Sequence, residues 1–143
     1  MSLFNQPSAA QLNLGLAILR VVAGTIFAAH GAQKLFVFGL AGVTGAFDSM
    51  GIPLPAIVGP AVALLELVGG LALVAGVMTR LVAAGLALTM VGAILFVHLG
   101  AGLFLPNGYE FALSLLGASL LLALVGGGRY SLDALIGARQ AHA

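Results

Sequence analysis

The chain has 143 residues, of which 62% are hydrophobic and only 6% charged, and its mean hydropathy is +1.20. A soluble domain carries about 25% charged residues, so this surface cannot be covered in water, and the composition excludes an ordinary soluble fold. A net charge of +1 with no basic arm excludes nucleic acid as an expected partner. The absence of cysteine excludes disulfides, thiolate metal sites and thiol relays.

The first thirteen residues contain no Lys or Arg, whereas a secretory signal needs a basic start. The first apolar segment, 12–35, is therefore expected to be kept as a membrane span. Segment 36–50 mixes Phe, Leu and Gly around Asp48 and reads as a short interfacial or re-entrant helix. Gly51, Pro53 and Pro55 mark a loop, and a second apolar segment follows at 56–78. Thr79-Arg80 leaves room only for a tight turn before a third segment at 81–105, and Pro106-Asn107-Gly108 is a turn signal before a fourth at 109–125. About 20 apolar residues cross a bilayer, and backbone groups in hydrocarbon must pair within their own segment. The expected fold is all-α: an integral membrane four-helix bundle in one domain, with the lipid bilayer as its solvent. Arg80, Arg129 and Arg139 fall on one side of such a bundle and Lys34 on the other, which places both termini in the cytoplasm. Gly24 and Gly31 share one face of the first span, and Gly69, Gly70 and Gly76 are the small residues of the second, where close helix contact is expected. Beyond the fourth span, Gly126-Gly127-Gly128 ends the helix, and Ser131 or Asp133 is placed to cap a short terminal helix with Arg129 at the headgroups. His142 falls in a terminal tail.

Charges within the spans carry the chemical signal, because each costs about 2.5–3.5 kcal/mol at a helix centre. With the first span running outward and the second returning, Arg20 and Glu66 are expected at depths only a few residues apart and close enough to pair. Such a pair reads equally as a structural tie or as part of a polar site. At the outer end, His30 and Lys34 share a helix face, and His98, Asn107, Tyr109 and Glu110 arrive at the same level. His30, His98, Glu66 and Glu110 are the expected proton-handling groups, since imidazole and carboxylate exchange protons near neutral pH. Arg20, Lys34, Asn107 and Tyr109 are the expected ligand-binding groups, although Lys34 and Tyr109 also read as interfacial anchors. No tight ligand spacing supports a metal site.

Leu19-Arg20, His30-Gly31, Lys34, Glu66-Leu67-Val68-Gly69-Gly70, Thr79-Arg80, His98, Asn107-Gly108-Tyr109-Glu110 and Gly128-Arg129-Tyr130-Ser131-Leu132-Asp133, in this order across four apolar segments, resemble the DoxX family of small bacterial membrane proteins. The resemblance runs from about Leu14 to Ile136. It implies a four-helix membrane bundle in the bacterial inner membrane, with Arg20, His30, Lys34, Glu66, His98, Asn107 and Glu110 at the family's polar positions. Some members of that family are linked to quinone-dependent thiosulfate oxidation, others to membrane oxidoreductase complexes that resist oxidative stress. The function this implies is a quinone-linked membrane oxidoreductase subunit, with quinone as its ligand and a redox partner protein supplying or taking the electrons, because no flavin, haem or nicotinamide motif is visible. A small-solute transporter or channel, which would need a homo-oligomer, and a membrane scaffold for a redox complex are the other two readings.

Overall fold

A computed structural model describes residues 6–140, which leaves His142 outside the described residues. Within them the chain is all helical. The elements in order are α1 (Ala9–Ala32), α2 (Gly39–Ser49), α3 (Pro55–Ala75), α4 (Thr79–Ala93), α5 (Glu110–Val125) and α6 (Leu132–Gln140). Two π-helical turns, Gln33–Phe38 and Ile94–His98, extend α1 and α4 at their C-terminal ends. Three stretches are long and apolar enough to cross a membrane: Ala9–Ser49, Pro55–Ala75 and Thr79–Ala101. The apolar α5 has 16 residues, about 24 Å at 1.5 Å per residue, and falls short of the usual span. Large side chains such as Val68, Leu88 and Leu124 point outward from the bundle, as lipid-facing positions do.

Local chemistry sets where the helices begin and end. Ser8 and Gln11 form a reciprocal capping box, which starts α1 at Ala9 rather than near Leu12. Segment 36–50 is helical, as expected: the first π turn ends at Gly39, whose φ of 70° breaks the axis, and α2 then packs along α3 with Val43 against Gly59. Pro55 opens α3 as its first residue and Gly76, at φ 75°, closes it.

α1 and α3 are antiparallel and meet through glycine. A Cβ on Gly24 would strike the carbonyl oxygen of Gly70; one on Gly31 would overlap the backbone of Leu67; one on Gly70 would overlap Ala28. In lipid, packing of this kind drives helix association. Gly69 instead leaves room for Val82 and Leu86 of α4. The α4–α5 side closes the core with Leu86, Met90, Ala112, Leu115 and Leu122 around Phe27, which is 1% exposed.

The C-terminal segment fastens the opposite ends of the same helices. Arg20, only 3% exposed, donates to the Leu73 and Val74 carbonyls in the last turn of α3, each at 2.5 Å, and to the Tyr130 carbonyl at 2.8 Å. The Leu73 and Val74 carbonyls lie at the negative end of the α3 dipole, where a guanidinium is favoured. Asp133 accepts from the Met78 and Thr79 N–H groups at 2.7 and 2.8 Å, so a side chain of α6 serves as the N-cap of α4. Ser131 caps α6 itself through Ala134 N–H, and Asn13 of α1 accepts from Arg129 N–H. Arg80 repeats the logic of Arg20 on the other helix pair, donating to the Ala123 carbonyl near the end of α5 at 3.1 Å.

That parallel is part of an internal repeat. Sixty positions separate Arg20 from Arg80, Ala23 from Ala83, Leu35-Phe36-Val37 from Leu95-Phe96-Val97, and Gly42 from Gly102. Both stretches begin at an Arg that holds the end of the returning helix and finish in a π turn. The bundle is thus two related helix pairs, α1/α3 and α4/α5.

Gly31→Leu or Gly70→Leu should lower the thermal midpoint in detergent sharply, since overpacking costs about 1–3 kcal/mol or more; Gly15→Ala, with no atom near the added Cβ, should stay within about 0.5 kcal/mol. Burial works against ionisation of Asp133, but the bonds from Thr79 and Met78 and the charge of Arg20 outweigh it and hold the carboxyl below its usual pKa. A lowered folded-state pKa adds stability above the unfolded value, about 3.9 for Asp, that is lost as pH falls through the folded value. Hydrogen exchange should therefore show α6 and the 76–79 turn opening first on acidification, and Asp133→Asn should open them already at pH 7.

Candidate functional site

The polar side chains fall into two separate groups. At the end of the bundle away from the C-terminal segment, Lys34 Nζ lies 2.5 Å from Glu66 Oε2, with the Lys34 side chain 21% exposed and that of Glu66 5%. His30 and His98 face the same place: all four line a small chamber of about 130 Å³ with Phe27, Met90 and Phe111. The His30 ring lies 5.9 Å from that of Phe111, at a tilt of 43°. On the other side of the ion pair, Lys34, Glu66 and His98 also border a larger chamber of about 550 Å³ between α2, α3 and α4. Its walls are apolar: Phe47 and Met50 from the α2 end, Ile57 and Val58 from α3, Leu88 and Phe96 from the α4 arm. Ile57 and Leu88 are well exposed among the large apolar side chains, so this chamber opens on the apolar flank of the bundle. A volume near 550 Å³ suits a small organic ligand.

Both π turns deliver residues to this site. Lys34 sits within the first and His98 ends the second. An extra residue in a helical turn re-aims the side chains beyond it, and such bulges gather at functional sites. His98 is held by its ring, with Nδ1 2.8 Å from the carbonyl oxygen of Asn107.

The expected Arg20–Glu66 pair does not form; each finds another partner. The glycine contacts fix the register: Gly24 lies beside Gly70 and Gly31 beside Ala63 and Leu67. Arg20 therefore falls level with Val74, eight residues from Glu66, or about 12 Å. Side chains also lean toward the N-terminus of their own helix. In an antiparallel pair, Arg20 leans away from Glu66 while Lys34 and Glu66 lean toward each other. The site thus holds His30, Lys34, Glu66 and His98, whereas Arg20 belongs to the clasp at the far end.

The remaining candidates frame the site. Asn107 contributes its backbone carbonyl. Glu110 heads α5, where the helix dipole favours a carboxylate, and its Oε1 accepts from Leu105 N–H at 2.8 Å, which closes the preceding loop. Tyr109 N–H bonds the Gly102 carbonyl in that loop. Among the described residues no three His, Asp or Glu side chains gather as a metal site would require.

The DoxX family model matches residues 15–99, and the chain belongs to the DoxX family of membrane proteins. It is 39% identical over 123 residues to the Bacillus subtilis protein named "Putative oxidoreductase CatD", covering 86% of this chain and 87% of that one. It is 33% identical over 130 residues to "Inner membrane protein YqjF" of Escherichia coli, covering 87% and 93% respectively. No solved structure matches the chain.

Lys34→Met should leave Glu66 buried without its cation, a loss toward the low end of the roughly 3–5 kcal/mol for breaking a buried pair. The double variant Lys34→Met/Glu66→Leu should recover most of that stability. Thermal unfolding in one detergent checks both, and equal loss in single and double variants would contradict the pairing.

Proposed function

We propose that this protein is an inner-membrane subunit of a quinone-linked oxidoreductase, and that a quinone head binds where Lys34, Glu66 and His98 meet the large chamber. The observation that carries the reading is that chamber: apolar along its length, open toward lipid, and polar only at one end. A lipid-soluble ring with oxygens at its edge and an apolar tail has the matching polarity. Lys34 has three N–H donors and gives one to Glu66, so a donor remains for a ring oxygen. The His98 ring and the Glu66 carboxylate are the groups there able to hold a proton. When bound, the quinone supplies the two-electron chemistry that the side chains lack, and a partner protein exchanges the electrons. The oxidoreductase name carried by the Bacillus subtilis relative agrees with this reading.

In this reading α5 is the fourth span, short for its role, and both termini lie in the cytoplasm. Arg80, Arg129 and Arg139 then face inward and Lys34 outward, following the positive-inside rule. The inner-membrane location follows the Escherichia coli relative's name. A solute path finds less support, because Arg20, its expected inner half, is committed to backbone carbonyls.

Purified protein in lipid nanodiscs should bind decylubiquinone saturably. Lys34→Met should weaken that binding at least about tenfold, the worth of one good charged hydrogen bond, while Arg139→Ala should not. Saturable solute uptake by proteoliposomes, with no quinone binding, would sink the proposal.

A further inference from the structure

His98 is held in one tautomer. Its Nδ1 lies 2.8 Å from the Asn107 carbonyl oxygen, which can only accept. Nδ1 must therefore carry the proton, and in the neutral ring Nε2 is left as an acceptor. No hydrogen bond from the described residues reaches Nε2, and the ring borders both chambers. Glu66 adds to the same bias. Lys34 occupies its Oε2, and no hydrogen bond from the described residues reaches Oε1. Two acceptors are thus left without a donor on side chains that line the large chamber, against the cation Lys34, which is itself paired.

We infer that this site reads a hydroxyl group, and is built for the hydroquinone or another phenolic head rather than for the oxidised quinone. An oxidised ring carries only acceptor oxygens. It satisfies Lys34 but leaves Nε2 and Oε1 facing acceptors, and an acceptor buried without a donor costs more than a bond made in water returns. A phenolic O–H donates to Nε2 while the oxygen across the ring meets Lys34. Asn107 then positions His98 through its backbone carbonyl, so the residue type at 107 matters less than the loop that carries it. Tyr109 N–H to Gly102 and the Glu110 carboxylate to Leu105 N–H hold that loop. The other titratable groups facing His98 across the small chamber are His30, Lys34 and Glu66. The inference rests on the quinone-linked reading for where the head sits, and adds which form the site prefers.

The test uses ligands that share a shape and differ in one proton. Nitrogen-15 NMR of histidine-labelled protein in nanodiscs reads the tautomer directly, with His98→Leu assigning the signals. The expected result is a protonated Nδ1 and a bare Nε2, whose resonance moves on adding 4-nonylphenol but not its methyl ether, 4-nonylanisole. The phenol should bind about tenfold more tightly, and the difference should vanish in His98→Leu. A proton on Nε2, or equal affinity for phenol and ether, would overturn the inference. Decylubiquinol and decylubiquinone then separate it from the broader reading. Preference for the phenol with neither ubiquinone head bound keeps the hydroxyl-reading site and removes the quinone assignment. Equal binding of both heads keeps that assignment and removes the inference.

Discussion

The contact between α1 and α3 governs the rest of the molecule. Gly24, Gly31 and Gly70 let two backbones touch, and in a bilayer, where lipid tails are as apolar as leucine, such contact is what holds helices together. Backbone contact also leaves no slack in register. Once Gly24 lies beside Gly70, Arg20 can reach only the end of α3, and Lys34 and Glu66 must converge from opposite directions. Both polar assemblies, the clasp at one end and the ion pair at the other, follow from that single constraint.

The two ends use their charges differently. At the clasp, Arg20, Arg80 and Asp133 meet backbone groups near helix ends, where the helix dipoles favour their charges. At the other end, the cation and the carboxylate satisfy each other but retain bonding capacity beside a chamber. Charged side chains with spare bonding capacity beside a chamber mark that end as a binding site, in contrast to the fastening at the clasp.

Much of this was legible in the sequence. Hydropathy located the long helices, and turn residues located some of their ends: Pro55 and the run from Gly126 appear where such residues are needed, whereas Gly76, expected as a packing residue inside the second span, ends α3 instead. His30, Lys34, Glu66 and His98 were also singled out. Depth counted in residues puts Arg20 beside Glu66, but it omits the register that the glycine contacts impose and the lean of side chains along their helices. Lys34 was harder to place, since the π turn that re-aims it has no sequence signal as plain as a proline. The clasp was visible only as a short capped helix. That Asp133 caps a different helix, 55 positions back at Met78, is a tertiary fact that local propensity does not encode.

The internal repeat gives the site an unequal parentage. Lys34 corresponds to Ile94 in the second copy, and His98 corresponds to Phe38 in the first. Each copy carries a polar residue where its sister is apolar, so a scaffold with twofold likeness carries one site instead of two. Its charged pair comes wholly from one half and the His98 imidazole from the other. A ligand lodged between them lies across the seam of a duplication, and the asymmetry it meets is one that two identical subunits related by a dyad could not offer it.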